Sequence, residues 1–153
     1  MADTRRKTVL LSGDRCYFKE AKSTAAAITP GDLVEIVSGG YVQRHALAGG
    51  NASKKFAFEN EGVGGTIDTG YANSSLVKFF VAERGSVVNV RLATSQTIVA
   101  GDKMESAGAG LVRKHLPDYE SGTGEIMPEC IVGIAMEAVT TTSSVARLAM
   151  EVI

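Results

Sequence analysis

Residues 28–45 recur as residues 98–115 at a constant offset of 70 positions, without a gap. Seven of the eighteen aligned pairs are identical: Ile28 with Ile98, Gly31 with Gly101, Asp32 with Asp102, Glu35 with Glu105, Gly40 with Gly110, Val42 with Val112 and His45 with His115. Arg44 over Lys114 adds a matched charge. Two unrelated stretches of this length share about one identity at average residue frequencies, so the repeat marks a duplication. Each copy reads as an apolar residue, a Gly-Asp turn, a short strand, a Gly-containing turn and a second short strand. A lone two-stranded hairpin cannot bury its apolar face in water. The two copies are therefore expected to share one backbone and to pack together as halves of one β domain. Repeated hairpins suit a scaffold and point away from a catalytic centre that occurs once.

At 153 residues the chain fits one domain, of a size that buries roughly 68–70% of its unfolded surface, so no metal or disulfide is needed for folding. Sixteen basic residues against 17 acidic ones leave a net charge of −1. Such a balance gathers neither nucleic acid nor an anionic membrane surface. The longest apolar runs, such as 131–136, fall far short of the roughly 20 residues of a membrane helix, and the charged residues at 1–7 have no apolar segment behind them of the secretory kind. Cys16 and Cys130 lack CxxC spacing, and free thiols in a reducing cytoplasm are expected.

The chain divides on composition into an N-terminal arm, 1–22, and a β-rich domain, 23–153. The arm holds six basic and three acidic residues. Arg5, Arg6 and Lys7 lie in its polar first turn of sequence, which is expected to be mobile and dispensable for folding. Residues 17–27 carry a short helical pattern from Phe18, Ala21, Lys22 and Ala25 before Pro30. Short β-rich runs follow between Gly, Asn, Asp and Ser clusters, at 33–37, 41–44, 54–58, 76–82, 87–93, 111–114, 131–139 and 146–153. Alternation is clearest in Val88, Val90 and Leu92 against Asn89 and Arg91, and in Leu148, Met150 and Val152 against Arg147 and Glu151. Two stretches read as true loops, 60–75 and 117–128. The pattern predicts an all-β, single-domain small barrel or sandwich with an internal hairpin duplication and an extended N-terminal arm. Phe79 and Phe80 are adjacent on one predicted strand and so face opposite ways. One is expected to fill the core and the other a subunit interface.

Chemistry-bearing motifs resolve into structural ones. His45 and His115 have no Cys or His at ligand spacing, so strand-end polar residues are expected and no metal. The Gly31-Asp32 and Gly101-Asp102 pairs read as turns capped by the Asp side chain through nearby backbone. Glu59 with Glu61, and Asp118 with Glu120, read as solvated loop charges. Neither Gly62-Val63-Gly64 nor Ser121-Gly122-Thr123-Gly124 completes a phosphate-binding loop, no Gly-x-Ser-x-Gly elbow occurs, and neither Cys has a nearby His to activate it. No cofactor and no enzymatic activity are expected. Residues 99–105 resemble the Gly-Asp hairpin of biotinyl and lipoyl carrier domains, but the turn that would present the modified lysine reads Ser106-Ala107-Gly108-Ala109-Gly110 and lacks it.

From about residue 29 onward the chain resembles the small capsid decoration, or cement, proteins of tailed bacteriophages. The likeness rests on Pro30-Gly31-Asp32 in the first repeat, residues 81–89 in mid-chain, residues 101–108 in the second repeat, and residues 131–139 with Ala146-Arg147-Leu148 near the end. The resemblance implies a mainly β homotrimer, made in the bacterial host cytoplasm, that sits on the outer surface of the phage head and clamps neighbouring major capsid subunits. It implies no cofactor and no catalysis. Arg5, Arg6 and Lys7 are the expected capsid contacts, by ion pairing or strand addition. Other phage head or tail adaptors, and carrier-like accessory domains, are the competing readings.

Overall fold

The computed structural model describes residues 6–13, 15–24, 26–117 and 128–153. Among them are β1 (Leu10–Ser12), β2 (Tyr17–Lys22), β3 (Val34–Val37), β4 (Tyr41–Arg44), β5 (Lys55–Ala57), β6 (Leu76–Val81), β7 (Val87–Leu92), β8 (Thr97–Ile98), β9 (Lys103–Gly108), β10 (Leu111–Lys114), β11 (Ile131–Ala135), β12 (Val139–Thr140) and β13 (Ala146–Val152), with three short 3-10 turns and no α-helix. The fold is all-β, as the sequence pattern predicts.

The duplication spans nearly the whole described chain. In the second half β7, β10, β9, β11 and β13 pair in that order, and β13 closes back on β7, giving a five-stranded mixed barrel. In the first half β2, β4, β3, β5 and β6 make the same circuit. The pairs β3–β4, β5–β6 and β2–β6 are antiparallel ladders, and single bridges at Ser23–Val42 and Leu33–Phe56 complete the ring. Register is repeated as well. Glu35 faces Gln43 as Glu105 faces Arg113, Ser23 bridges Val42 in parallel as Leu92 bridges Val112, and Ile28 bridges Tyr71 as Ile98 bridges Val139. Leu33 meets Phe56 as Lys103 meets Ile134, and Ala57 meets Phe79 as Ala135 meets Met150. The offset between matched residues is thus 69 at β2, 70 through the hairpin, 78 at β5 and 71 at β6. Eight extra residues enter before β11 in the second half, and seven before β6 in the first.

The interiors match as the ladders do. The first barrel is filled by Ile28, Val34, Val42, Ala57, Tyr71, Val77 and Phe79, with Ala21 packed against them. Their counterparts Ile98, Met104, Val112, Ala135, Leu148, Met150 and Val90 are buried, with Val139 partly so, in the larger cluster that fills the second barrel. That cluster also contains Leu33, Phe56, Phe58 and Phe80. These four lie outside the first barrel, because their strand neighbours Val34, Ala57 and Phe79 point inward. The outer face of the first barrel is therefore buried in continuity with the core of the second. Residues 82–86 join the two, with Gly85 N–H bonded to Val152 O at 2.8 Å.

Three expectations are corrected here. Residues 17–22, read as the start of a helix, form a strand, because pairing with β6 from Tyr17–Val81 to Lys22–Leu76 outweighs a weak local pattern. Residues 10–12 and 17–22 are not an extended arm, since β1 pairs with β7 and β2 with β6. Phe79 and Phe80 do face opposite ways, but both are buried within the chain, at 2% and 0% exposure. Phe79 fills the first barrel and Phe80 joins the packing between barrels, so neither is left for contact with another subunit.

Candidate interaction surface

The two Gly-Asp turns are the same structure in two environments. Thr29 N–H donates to Asp32 Oδ2 at 2.8 Å and Val99 N–H to Asp102 Oδ2 at 2.9 Å. Gly31 N–H bonds Ala57 O and Gly101 N–H bonds Ala135 O, both at 2.8 Å. Gly31 has φ 89° and Gly101 φ 94°, a left-handed conformation that glycine adopts without a Cβ penalty.

The first turn is pressed onto the second barrel. Arg91 of β7 donates to Asp32 Oδ1 at 2.8 Å. Arg147, opposite Arg91 on β13, donates to Pro30 O at 2.7 Å and also to Ile67 O. Asp32 is fully buried, and a Cβ on Gly31 would lie 2.8 Å from Asn89 O. Burial pushes the Asp32 carboxyl up, against the pull of the Thr29 N–H and the Arg91 guanidinium. Burial likewise lowers the Arg147 pKa, opposed by Asp68.

Among the described residues the second turn has no such cover. Ala100 and Gly101 are exposed, Val99 is 54% exposed, and a Cβ on Gly101 would meet nothing within 4 Å. Asp102 pairs instead with Lys114 at 2.9 Å, and that hydrogen bond holds its carboxyl below the usual range. The receiving surface is vacant in the same way. Lys22 and Leu76 occupy on the first barrel the places that Arg91 and Arg147 hold on the second, and they face each other across β2 and β6 as those arginines do across β7 and β13. Lys22 is exposed and Leu76 is 57% exposed. Phe18, on the same face of β2 as Lys22, is 47% exposed.

The residues expected to touch a partner are placed differently. Arg5 lies outside the described residues. Arg6 is held within the chain by a two-pronged pair with Glu137, at 2.5 and 2.9 Å, which lowers the Glu137 pKa. Lys7 is exposed. The segment after it is anchored, because Thr8 Oγ1 and Val9 N–H both donate to Glu59 and Val9 is fully buried. Glu59 is consequently buried, at 3% exposure, and is not a solvated loop charge. Glu61 is exposed, and Asp118 with Glu120 lies outside the described residues. The histidines are strand-end residues whose rings bond inside the fold, His45 to Ser106 Oγ at 2.7 Å and His115 to Glu105 at 2.6 Å. Leu76 and Val99 were not singled out by sequence. The available signal was an apolar residue where the aligned copy carries a polar one, Val99 against Thr29.

No protein family pattern and no curated protein matches the chain. Among solved structures, the N base of the head fiber gp8.5 of bacteriophage phi29 is similar in fold. The TM-score is 0.52 at 10% identity, with 90% of this chain and 98% of that one covered. The likeness is one of fold, and it extends over nearly the full length of both chains.

Proposed function

We propose that this protein is a structural component of a tailed-phage head, bound as a homotrimer to the outer surface and bridging neighbouring major capsid subunits without catalysis. The observation that carries the reading is the shared fold with the base of a phage head fiber across 90% of the chain. It coincides with the resemblance to decoration proteins that the turn and strand patterns bear independently. A duplicated barrel with short connections suits the role, because a clamp must offer fixed surfaces at fixed separation. Lys7, exposed beside Arg6 and Glu137, is the proposed basic contact for carboxylates of the shell, whereas Arg6 is already committed to Glu137. The test is sedimentation of the purified protein with expanded heads of the parent phage lacking it, followed by heating of the loaded heads. Saturable binding and a raised temperature of head disruption are expected. Absence of binding overturns the reading.

A second reading is favoured by the identity of the structural neighbour. The protein would then be the base on which a longer head appendage stands. Binding to heads with no gain in their stability would select this alternative.

A further inference from the structure

We propose that copies of this chain associate head to tail, the turn at Val99–Asp102 of one copy seating on the Lys22 and Leu76 face of the next. The assembly repeats between chains the contact that joins the two barrels within a chain. It goes beyond the head-binding reading and does not depend on it.

The template is the covered first turn. Its backbone carbonyl at Pro30 and carboxylate at Asp32 meet Arg147 and Arg91 of the second barrel at 2.7 and 2.8 Å. Among the described residues of the single chain, the turn that would continue the series and the face that would receive it are both open. Val99 and Leu76 are 54% and 57% exposed, and Gly101, unlike Gly31, has nothing above it.

The chemistry of the two open surfaces has changed together. Where the covered contact sets Arg147 against the Thr29-Pro30 backbone, the open one offers Leu76 and the Val99-Ala100 turn, both apolar. Where the covered contact pairs Arg91 with Asp32, whose carboxyl also feels Arg44 of its own hairpin, the open one offers Lys22 to Asp102, which Lys114 of its own hairpin already holds at 2.9 Å. Two faces that each carry an exposed Lys22 repel, so the face suits the turn of another copy better than a second face. A contact between unlike surfaces is heterologous, closing into a ring or extending as a filament. The occupant is therefore a second copy of this chain.

Light scattering of the full chain across concentration is the test, with Leu76→Glu to block the face and Val99→Arg to block the turn. Both sites are exposed, and circular dichroism confirms that each variant folds. The wild type is expected above the 16.0 kDa of one chain, and each variant alone as a monomer. Mixed, the Val99→Arg chain keeps an intact face and the Leu76→Glu chain an intact turn, so the mixture is expected at twice the monomer mass and no higher. A wild type that stays monomeric up to about 1 mM, a folded variant that keeps the wild-type mass, or a mixture that stays monomeric overturns the proposal. Assembly by this contact without binding to heads would leave the inference standing and remove the head reading.

Discussion

At the scale of single residues the duplication supplies paired controls. Asp32 and Asp102 cap identical turns, yet burial raises one pKa and Lys114 lowers the other. A carboxyl with a raised pKa favours folding when protonated, so its contribution is present below the ordinary value of 3.8 and fades as pH rises through the raised value. A lowered carboxyl contributes above 3.8 and loses that contribution as pH falls through the lowered value. The stability difference between wild type and Asp32→Asn should therefore grow on acidification, and that between wild type and Asp102→Asn should shrink. Urea unfolding of the three proteins across the acid range reads both slopes, and slopes of one sign would refute the assignment. The hairpin turns supply a second pair. Gly39 has φ 82°, whereas its counterpart Ala109 is held at φ 51°. A left-handed alanine costs roughly 1–2 kcal/mol, partly offset by the roughly 0.5–1 kcal/mol entropic cost of glycine. Ala109→Gly should stabilise the protein by about 0.5 kcal/mol, measured by urea midpoint at unchanged m-value.

At the scale of elements, β6 carries the two kinds of packing on one strand. Removing Phe79 empties the first barrel, and removing Phe80 loosens the aromatic group in which Phe80 sits 5.8–5.9 Å from Phe18, Phe56 and Phe58. Each alanine substitution should cost about 3–5 kcal/mol. The N-terminal segment also has more to hold than its polarity suggests. Deleting residues 2–8 removes Thr8, a donor to the buried Glu59, and Arg6, the partner of Glu137. A loss of about 1–3 kcal/mol in thermal or urea unfolding is expected, where an unanchored tail would give none. These contacts were hidden in the sequence because they join residues more than fifty positions apart. β3 to β7, β10 and β13 were legible to within a residue or two, since alternation and turn residues are local, whereas β8 was missed, β9 was implied only by the repeat, and the run 131–139 merged β11 with the start of β12. β2 was misread because five of its six residues are exposed and it lacks an inward-facing apolar series. Of the duplication, only residues 28–45 and 98–115 were visible, the stretch over which the offset stays at 70. On either side the matched residues drift to offsets of 69, 71 and 78, and β2 and β7 share no sequence pattern. The docking surface was illegible for a related reason. Leu76 and Val99 become informative only when Arg147, the counterpart of Leu76, is known to hold the turn that contains Thr29, the counterpart of Val99.

At the scale of the whole molecule, the first barrel is not self-sufficient. Its outer face presents Leu33, Phe56 and Phe80, all at 0% exposure in the intact chain. A fragment of residues 1–86 would leave these side chains in water, each at a cost of roughly 1.5–3 kcal/mol. The fragment should therefore show no dispersed amide spectrum alone and gain one on addition of residues 87–153. A well-dispersed spectrum from the isolated fragment would mean that the barrels are separable units. The unequal connections carry a different consequence. Between matched residues the second half passes from β11 to β13 with seven fewer residues than the first uses between β5 and β6, and still closes the same ring of strands. Each half is thus a natural deletion variant of the other. The exposed turn at Glu61–Val63 lies in the longer version of that connection, where the barrel has already been shown to close without extra length. Doubling the length of a flexible loop costs only about 0.6 kcal/mol. Residues 61–64 are accordingly a permissive graft site, where a foreign peptide could be carried without disturbing either barrel.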